Sequence, residues 1–287
     1  MPALTDIGYI RDLLSRHGFH FSKALGQNFL VNPSVCPRMA EACGASAETG
    51  VLEIGAGIGV LTRELASRAG KVVCVEVDDR LPPILEETLA GLDNAEIVLQ
   101  DIMKVDIHPF MQEKFGDRPV SVCANLPYYI TSPVIMGLLE SRYPFTSITV
   151  MVQKEAAQRL CAEPGTRDAG AVTMAVRYFA HAEKLFDVSR GSFTPSPNVD
   201  SAVIRLTLHN SPQCTPAEEK RLFSLVRAAF GQRRKTLSNS LAGAGIPKAE
   251  LPRLLEAAGI SPTARAEQLT LDDFIRLTKA SMSRRTP

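Results

Sequence analysis

The chain has 287 residues and a formal net charge of +1, with 45% hydrophobic and 22% charged residues, 19 Gly, 19 Pro and no Trp. That length is near the limit of one hydrophobic core, so a large domain plus a smaller one is the expected organisation. The balance excludes a disordered, collagen-like or fibrous chain. A near-neutral total says nothing against a nucleic-acid partner, because a sum hides its distribution.

The first 14 residues carry Asp6, Arg11 and Asp12 without an apolar core segment, and no run of 18 apolar residues follows. No signal peptide and no membrane span are therefore expected, and the cytoplasm is the default location. Six cysteines (Cys36, Cys43, Cys74, Cys123, Cys161 and Cys214) form no Cys-x-x-Cys pair and have no His at zinc-ligand spacing. A reducing compartment, no disulfide framework and no metal are the expectation.

Residues 6–17 read as an amphipathic helix on Ile7, Ile10, Leu13 and Leu14, stopped by Gly18. Residues 22–28 are polar and irregular. Asn32 and Pro33 then form a helix start leading into residues 35–43. From residue 50 short apolar runs at 51–54, 72–77, 95–99, 120–124 and 147–152 alternate with helical patterns such as 60–69 and 80–89. This alternation predicts a mostly parallel sheet with helices on both faces. Two later strand-like stretches, 182–188 and 202–208, suggest a hairpin-like edge. The breaker cluster Ser211, Pro212, Thr215 and Pro216 marks a boundary near residue 210. Beyond it the pattern is helical, at 217–230, 235–241, 248–257 and 271–281. Thr270 with Asp273 resembles a capping box. The expected division is thus 1–210, an α/β Rossmann-like domain with an N-terminal helical arm, and 211–287, a small all-α domain.

The strongest local signal is the run Val51-Leu52-Glu53-Ile54-Gly55-Ala56-Gly57-Ile58-Gly59. An apolar strand enters a glycine-rich turn, where Gly55 and Gly57 let the backbone approach a ligand closely. The next strand ends on Glu76, followed by Asp78, and a carboxylate there suits a pair of ribose hydroxyls. The dinucleotide fingerprint wants glycine at position 60, where this chain has Val60. The pattern suits S-adenosylmethionine, which has no pyrophosphate to seat. Asp101 follows the third strand, placed either to accept from an adenine amine or to cap a turn.

The fourth strand ends in Asn125-Leu126-Pro127-Tyr128. An exocyclic adenine amine is a poor nucleophile because its lone pair is delocalised into the ring. Two acceptors on its N–H groups, the Asn125 side-chain oxygen and the Leu126 carbonyl, would hold it and favour a localised lone pair, with Pro127 fixing the geometry. Tyr128 can stack on the base. The donor methyl is already activated, so positioning for in-line attack carries the reaction without a metal.

In these segments the chain resembles the ribosomal RNA adenine N6-dimethyltransferases, and within them the small-subunit (16S) branch. The resemblance spans roughly 20–280. It rests on Lys23-Ala24-Leu25-Gly26-Gln27-Asn28-Phe29-Leu30, the glycine turn, Glu76, Asp101 and Asn125–Tyr128. Residues 193–203 (FTPSPNVDSAV), 230–237 (FGQRRKTL) and 265–269 (RAEQL) complete it. The resemblance implies methyl transfer from S-adenosylmethionine to N6 of two adjacent adenosines near the 3′ end of small-subunit rRNA, in a partly assembled subunit, by a monomer. It also implies that Asn28 and Leu30 close over the cofactor beside Gly55, Glu76, Asp101 and Asn125, and that Phe193 opposes Tyr128 across the target base. Asn32 and Asn198 depart from the family, which usually has Asp and often has Lys there.

Three other readings compete: a large-subunit methyltransferase of the macrolide-resistance type, a non-catalytic RNA-binding or transcription factor on the same fold, and a nicotinamide oxidoreductase. The last is disfavoured by Val60 and the tetrapeptide. Residues 201–287 hold 14 Lys and Arg against 7 Asp and Glu, whereas the first 200 hold 18 against 24. The cluster Arg227, Arg233, Arg234 and Lys235, with Arg284 and Arg285 near the end, is expected to contact RNA phosphates.

Overall fold

The apolar runs from residue 50 onward become one seven-stranded sheet. In the computed structural model, which describes residues 3–22, 26–232 and 234–283, the strands are β1 (Phe29–Leu30), β2 (Gly50–Ile54), β3 (Lys71–Glu76), β4 (Ala95–Leu99), β5 (Val120–Asn125), β6 (Ile148–Gln153), β7 (Ala180–Val188), β8 (Phe193–Thr194) and β9 (Ser201–Leu208). Lys23, Ala24, Leu25, Arg233, Arg284 and Arg285 lie outside the described residues.

The strand order is β4-β3-β2-β5-β6-β9-β7. The five strands from β4 to β6 run parallel and β9 is antiparallel to β6. The central strands are apolar throughout: β2 is buried at every position and β3 at all but its first. That is what helices on both faces of a parallel sheet require. The order reverses between β2, whose successors β3 and β4 build one side, and β5, which starts the other. Ligands bind at such a switch point, outside the carboxyl ends of the strands. The pairing brings those ends level: Ile54 lies opposite Val75 and Ala124, Glu76 opposite Leu99, and Asn125 opposite Met151.

Two differences from the sequence reading are local. The helix expected to start at Asn32 and Pro33 begins at Val35. Asn32 instead forms a turn ahead of it, its Oδ1 accepting from the Ser34 N–H at 3.1 Å while its Nδ2 donates to Ser192 Oγ at 3.1 Å. Phe29–Leu30, which carries no periodicity, pairs antiparallel with Phe193–Thr194 in a separate two-stranded sheet. A cis Thr194–Pro195 peptide follows.

The chain forms two compact units. One runs through Ala157 and takes in Ala182–Leu208; the other is Gln158–His181 with His209 onward. A division near residue 210 is thus only one of the crossings. The segment 158–181 belongs with the C-terminal helices because its helix Ala171–Phe179 buries Met174, Val176, Tyr178 and Phe179. Its Tyr178 ring meets Phe223 edge-on at 5.3 Å, and its phenol donates to Glu219 Oε2 at 2.8 Å.

In the first unit the helix Ile7–Arg16 is capped by Asp6 and anchored by a two-pronged Arg16–Glu87 ion pair, each N···O distance 2.8 Å. In the second, Thr215 with Glu218 and Thr270 with Asp273 form capping boxes at the helices Pro216–Gly231 and Leu271–Met282. Phe230 and Phe274 pack with ring centroids 6.0 Å apart. None of the six cysteines is in a disulfide. Among the described residues no helix is long and apolar enough to cross a membrane.

Candidate active site

A cavity of about 280 Å³ opens at the carboxyl ends of β2 to β5. Asn28, Leu30, Gly55, Gly57, Glu76, Asp101, Asn125, Leu126, Pro127, Tyr128 and Phe193 all line it, so residues from six separate segments meet there. Its charged lining is wholly acidic, Glu53, Glu76 and Asp101, with no Lys, Arg or His among the described residues.

The floor is the glycine turn. Gly55 has φ 81° and Gly57 φ 55°. A Cβ on Gly55 would project into open space, and one on Gly57 would rest in ordinary contact with the Phe29 ring at 3.5 Å, so it is the positive φ that calls for glycine at both. The turn is tied to β3 by Glu76, which accepts from the Gly57 N–H (3.2 Å) through Oε2 and from the Val77 and Asp78 N–H groups (2.8 and 2.9 Å) through Oε1. Burial raises the pKa of Glu76 above the ordinary carboxylate value, against the opposing pull of those three donors.

Asp101 caps a short 3₁₀ turn, its Oδ1 accepting from the Met103 N–H at 3.0 Å, while its carboxyl also lines the cavity. The capping reading holds, and the side chain stays at the cavity's rim with its Oδ2 3.8 Å from Lys104 Nζ.

The roof is the loop ahead of β1. Gln27 donates to Asp78 Oδ2 at 2.6 Å and accepts from the Ser22 N–H at 2.8 Å. Asp78 is itself clamped by the Arg80 guanidinium (2.6 and 2.8 Å), which holds its carboxyl below the usual range. The β1–β8 pairing sets Leu30 opposite Phe193. One two-residue ladder therefore joins the cofactor-side loop to the aromatic expected over the target base. Phe193 is both a wall of the cavity and a buried core residue.

The tetrapeptide is rigid where it must be and open where chemistry would occur. The Leu126 N–H donates to the Met151 carbonyl at 3.2 Å, and the Pro127 carbonyl accepts from the Ile130 N–H and the Thr131 hydroxyl. Among the described residues nothing hydrogen bonds to the Asn125 amide or to the Leu126 carbonyl. Both acceptors belong to residues that line the cavity.

Sequence reasoning left Gln27 and Glu53 without a role and named Asp78 only beside Glu76 as a carboxylate for a ribose. Gln27 and Asp78 latch the roof. Glu53 borders the cavity beneath the glycine turn, fully buried, with no hydrogen-bond partner for either carboxylate oxygen. The Thr62 hydroxyl and Cys74 thiol lie beside it without completing a bond, and burial pushes its pKa up to about 8. The signal in the sequence was an acidic residue in the middle of an apolar parallel strand.

The sequence pattern of the family described as ribosomal RNA adenine dimethylase matches residues 18–282. The chain belongs to that family. It is 47% identical over 281 residues to the ribosomal RNA small subunit methyltransferase A of Geobacillus thermodenitrificans, covering 96% of each chain. It is 44% identical to the protein of the same name in Bacillus mycoides, covering 94% of each. Among solved structures, a dimethyladenosine transferase from Plasmodium falciparum has a TM-score of 0.75 at 28% identity, over 88% of this chain and 98% of that one. The 23S rRNA methyltransferase ErmE has a TM-score of 0.69 at 30% identity, over 88% and 99%. The likeness to both places this family member on the methyltransferase fold along nearly its whole length.

Of the expected RNA-contacting side chains, Arg227, Arg234 and Lys235 lie in the second unit, all exposed. Among the described residues none of the three forms an ion pair.

Proposed function

We propose that this chain transfers methyl groups from S-adenosylmethionine to N6 of two adjacent adenosines near the 3′ end of small-subunit (16S) rRNA, acting as a monomer on a partly assembled subunit. The observation that carries this is the end-to-end match to proteins named ribosomal RNA small subunit methyltransferase A, with an open Asn125–Leu126 acceptor pair at the sheet's switch point.

The cavity suits S-adenosylmethionine on three counts. The charged groups among the described residues of its lining are all acidic, which favours a ligand bearing a sulfonium and an ammonium over one bearing a pyrophosphate and also weighs against a nicotinamide cofactor. Gly55 leaves a gap that any side chain would fill. The unpartnered Glu53 lacks a cation or donor. Glu76 and Asp101 would take the ribose and the adenine, Asn28 and Leu30 would cover them, and Glu53 would face the ammonium. When bound, this cofactor supplies a methyl carbon already activated by a positive sulfur.

The chain's own residues do the rest. Asn125 Oδ1 and the Leu126 carbonyl accept the two amine N–H groups and turn the nitrogen lone pair toward the methyl. Tyr128 and Phe193 hold the base from either side, which offsets the cost of drawing the adenosine out of its stack. Positioning for in-line attack is then the main source of rate.

Small ribosomal subunits that lack these modifications are expected to accept labelled methyl groups, with nucleoside mass spectrometry finding N6,N6-dimethyladenosine in 16S rRNA. Label confined to large-subunit RNA would overturn the assignment, and no label would favour a non-catalytic binding protein. Arg227, Arg234 and Lys235 would contact RNA phosphates. Reversing Arg234 and Lys235 together to Glu is expected to weaken subunit binding and make the slope of log affinity against log salt shallower by about two, with cofactor affinity unchanged. An unaltered salt slope would remove this face from the interface.

A further inference from the structure

The ring of Tyr128 is held at its tip as well as at its backbone. Its phenolic oxygen lies 3.0 Å from Ser201 Oγ. Ser201 is fully buried at the start of β9, level with Gln153 of β6. At the other end, Pro127 has φ −56° and its carbonyl takes the Thr131 hydroxyl. The facing wall, Phe193, is buried and registered on Leu30. The tip of Tyr128 is therefore held by a group, Ser201, that lies outside the cavity's lining.

We propose that Ser201 is a positioning residue for the second methyl addition, acting through its hydrogen bond to Tyr128. This rests on the reading that Tyr128 carries the target base. The unmodified amine has two N–H groups and can engage both Asn125 Oδ1 and the Leu126 carbonyl. Each addition breaks the sulfur–methyl bond to leave a neutral thioether and forms a nitrogen–methyl bond, and the amine sheds one N–H proton to water. After the first it keeps a single N–H, so one acceptor contact is lost and the base depends more on its aromatic walls for alignment. A ring released from Ser201 can pivot about its own side-chain torsions, which costs little in the first addition and more in the second. The Ser201–Tyr128 bond thus keeps the second addition in step with the first, and its loss lets the monomethyl product accumulate.

The test uses Ser201→Ala, Ser201→Thr, Tyr128→Phe and the Ala/Phe double variant on unmethylated small subunits. Single-turnover time courses are read by mass spectrometry as mono- and dimethyladenosine, and cofactor affinity is measured alongside by calorimetry. Ser201→Ala and Tyr128→Phe are each expected to slow the second addition roughly three- to tenfold more than the first, the range one neutral hydrogen bond supports. The double variant should behave like either single, and Ser201→Thr should restore the parent ratio. Equal slowing of both additions, or losses that multiply in the double variant, would overturn the proposal. A Tyr128→Ala variant separates the two layers. If it transfers both methyls normally, the base-platform reading fails. If it loses transfer while Ser201→Ala keeps the parent product ratio, only the inference about Ser201 fails.

Discussion

Replacing Asn125 by Ala is expected to lower methyl transfer by about 10²–10³-fold, the loss typical of removing one preorganised polar group aimed at the reacting atom. The side chain ends β5 at the sheet's switch point, half-buried, and its amide bonds to nothing else among the described residues. Truncation therefore orphans no buried partner, and the variant should melt at the parent temperature. S-adenosylmethionine should still bind, because Glu53, Glu76, Asp101 and the glycine turn are untouched. Single-turnover transfer together with cofactor calorimetry checks both halves. Parent-like turnover would remove Asn125 from the mechanism, and loss of cofactor binding in step with turnover would make it a cofactor ligand first.

The parts of this site that are legible in the sequence are those in which a local rule and a tertiary requirement coincide. The alternation of apolar runs with helical patterns yields the sheet, and the glycine turn, Glu76, Asp101 and Asn125–Tyr128 follow the ends of its strands because a parallel sheet exposes its polar chemistry there. Thr270 and Asp273 form the expected capping box for the same reason: the signal spans four residues and needs no partner elsewhere.

What stays hidden depends on long-range pairing. Leu30 meets Phe193 across 163 positions of sequence through a two-residue ladder too short to leave any periodicity. Gln27 finds Asp78 from a polar stretch that reads as irregular. The helix Ala171–Phe179 joins the C-terminal unit through the packing of Tyr178 on Phe223, although it lies in sequence between strands of the sheet. The family resemblance supplied the Tyr128–Phe193 pairing as an expectation; composition and spacing alone would leave Phe193 as a core residue, and it is one.

Glu53→Gln is expected to weaken S-adenosylmethionine binding by about ten- to hundredfold, the range for losing a charge-assisted contact, while stabilising the empty protein at alkaline pH. The two effects have one cause. In the empty site the carboxyl is buried without a partner and its pKa is pushed up to about 8 by desolvation. The folded chain then keeps a proton that the unfolded chain releases near the ordinary carboxylate value. Stability contributed by this group is full below that value and is lost as pH rises through about 8. Gln does not titrate, so the variant lacks this slope. Thermal melting of cofactor-free protein from about pH 5 to about pH 9 should show the parent falling increasingly below the variant. Calorimetry at neutral pH should show the reverse ranking for cofactor affinity. Parallel melting curves would mean that Glu53 ionises freely in the folded state. Unchanged affinity would mean that the cofactor never meets it. A buried acid in the middle of an apolar strand weakens the cofactor-free protein at alkaline pH, and a cationic ligand that meets it would turn that weakness into binding.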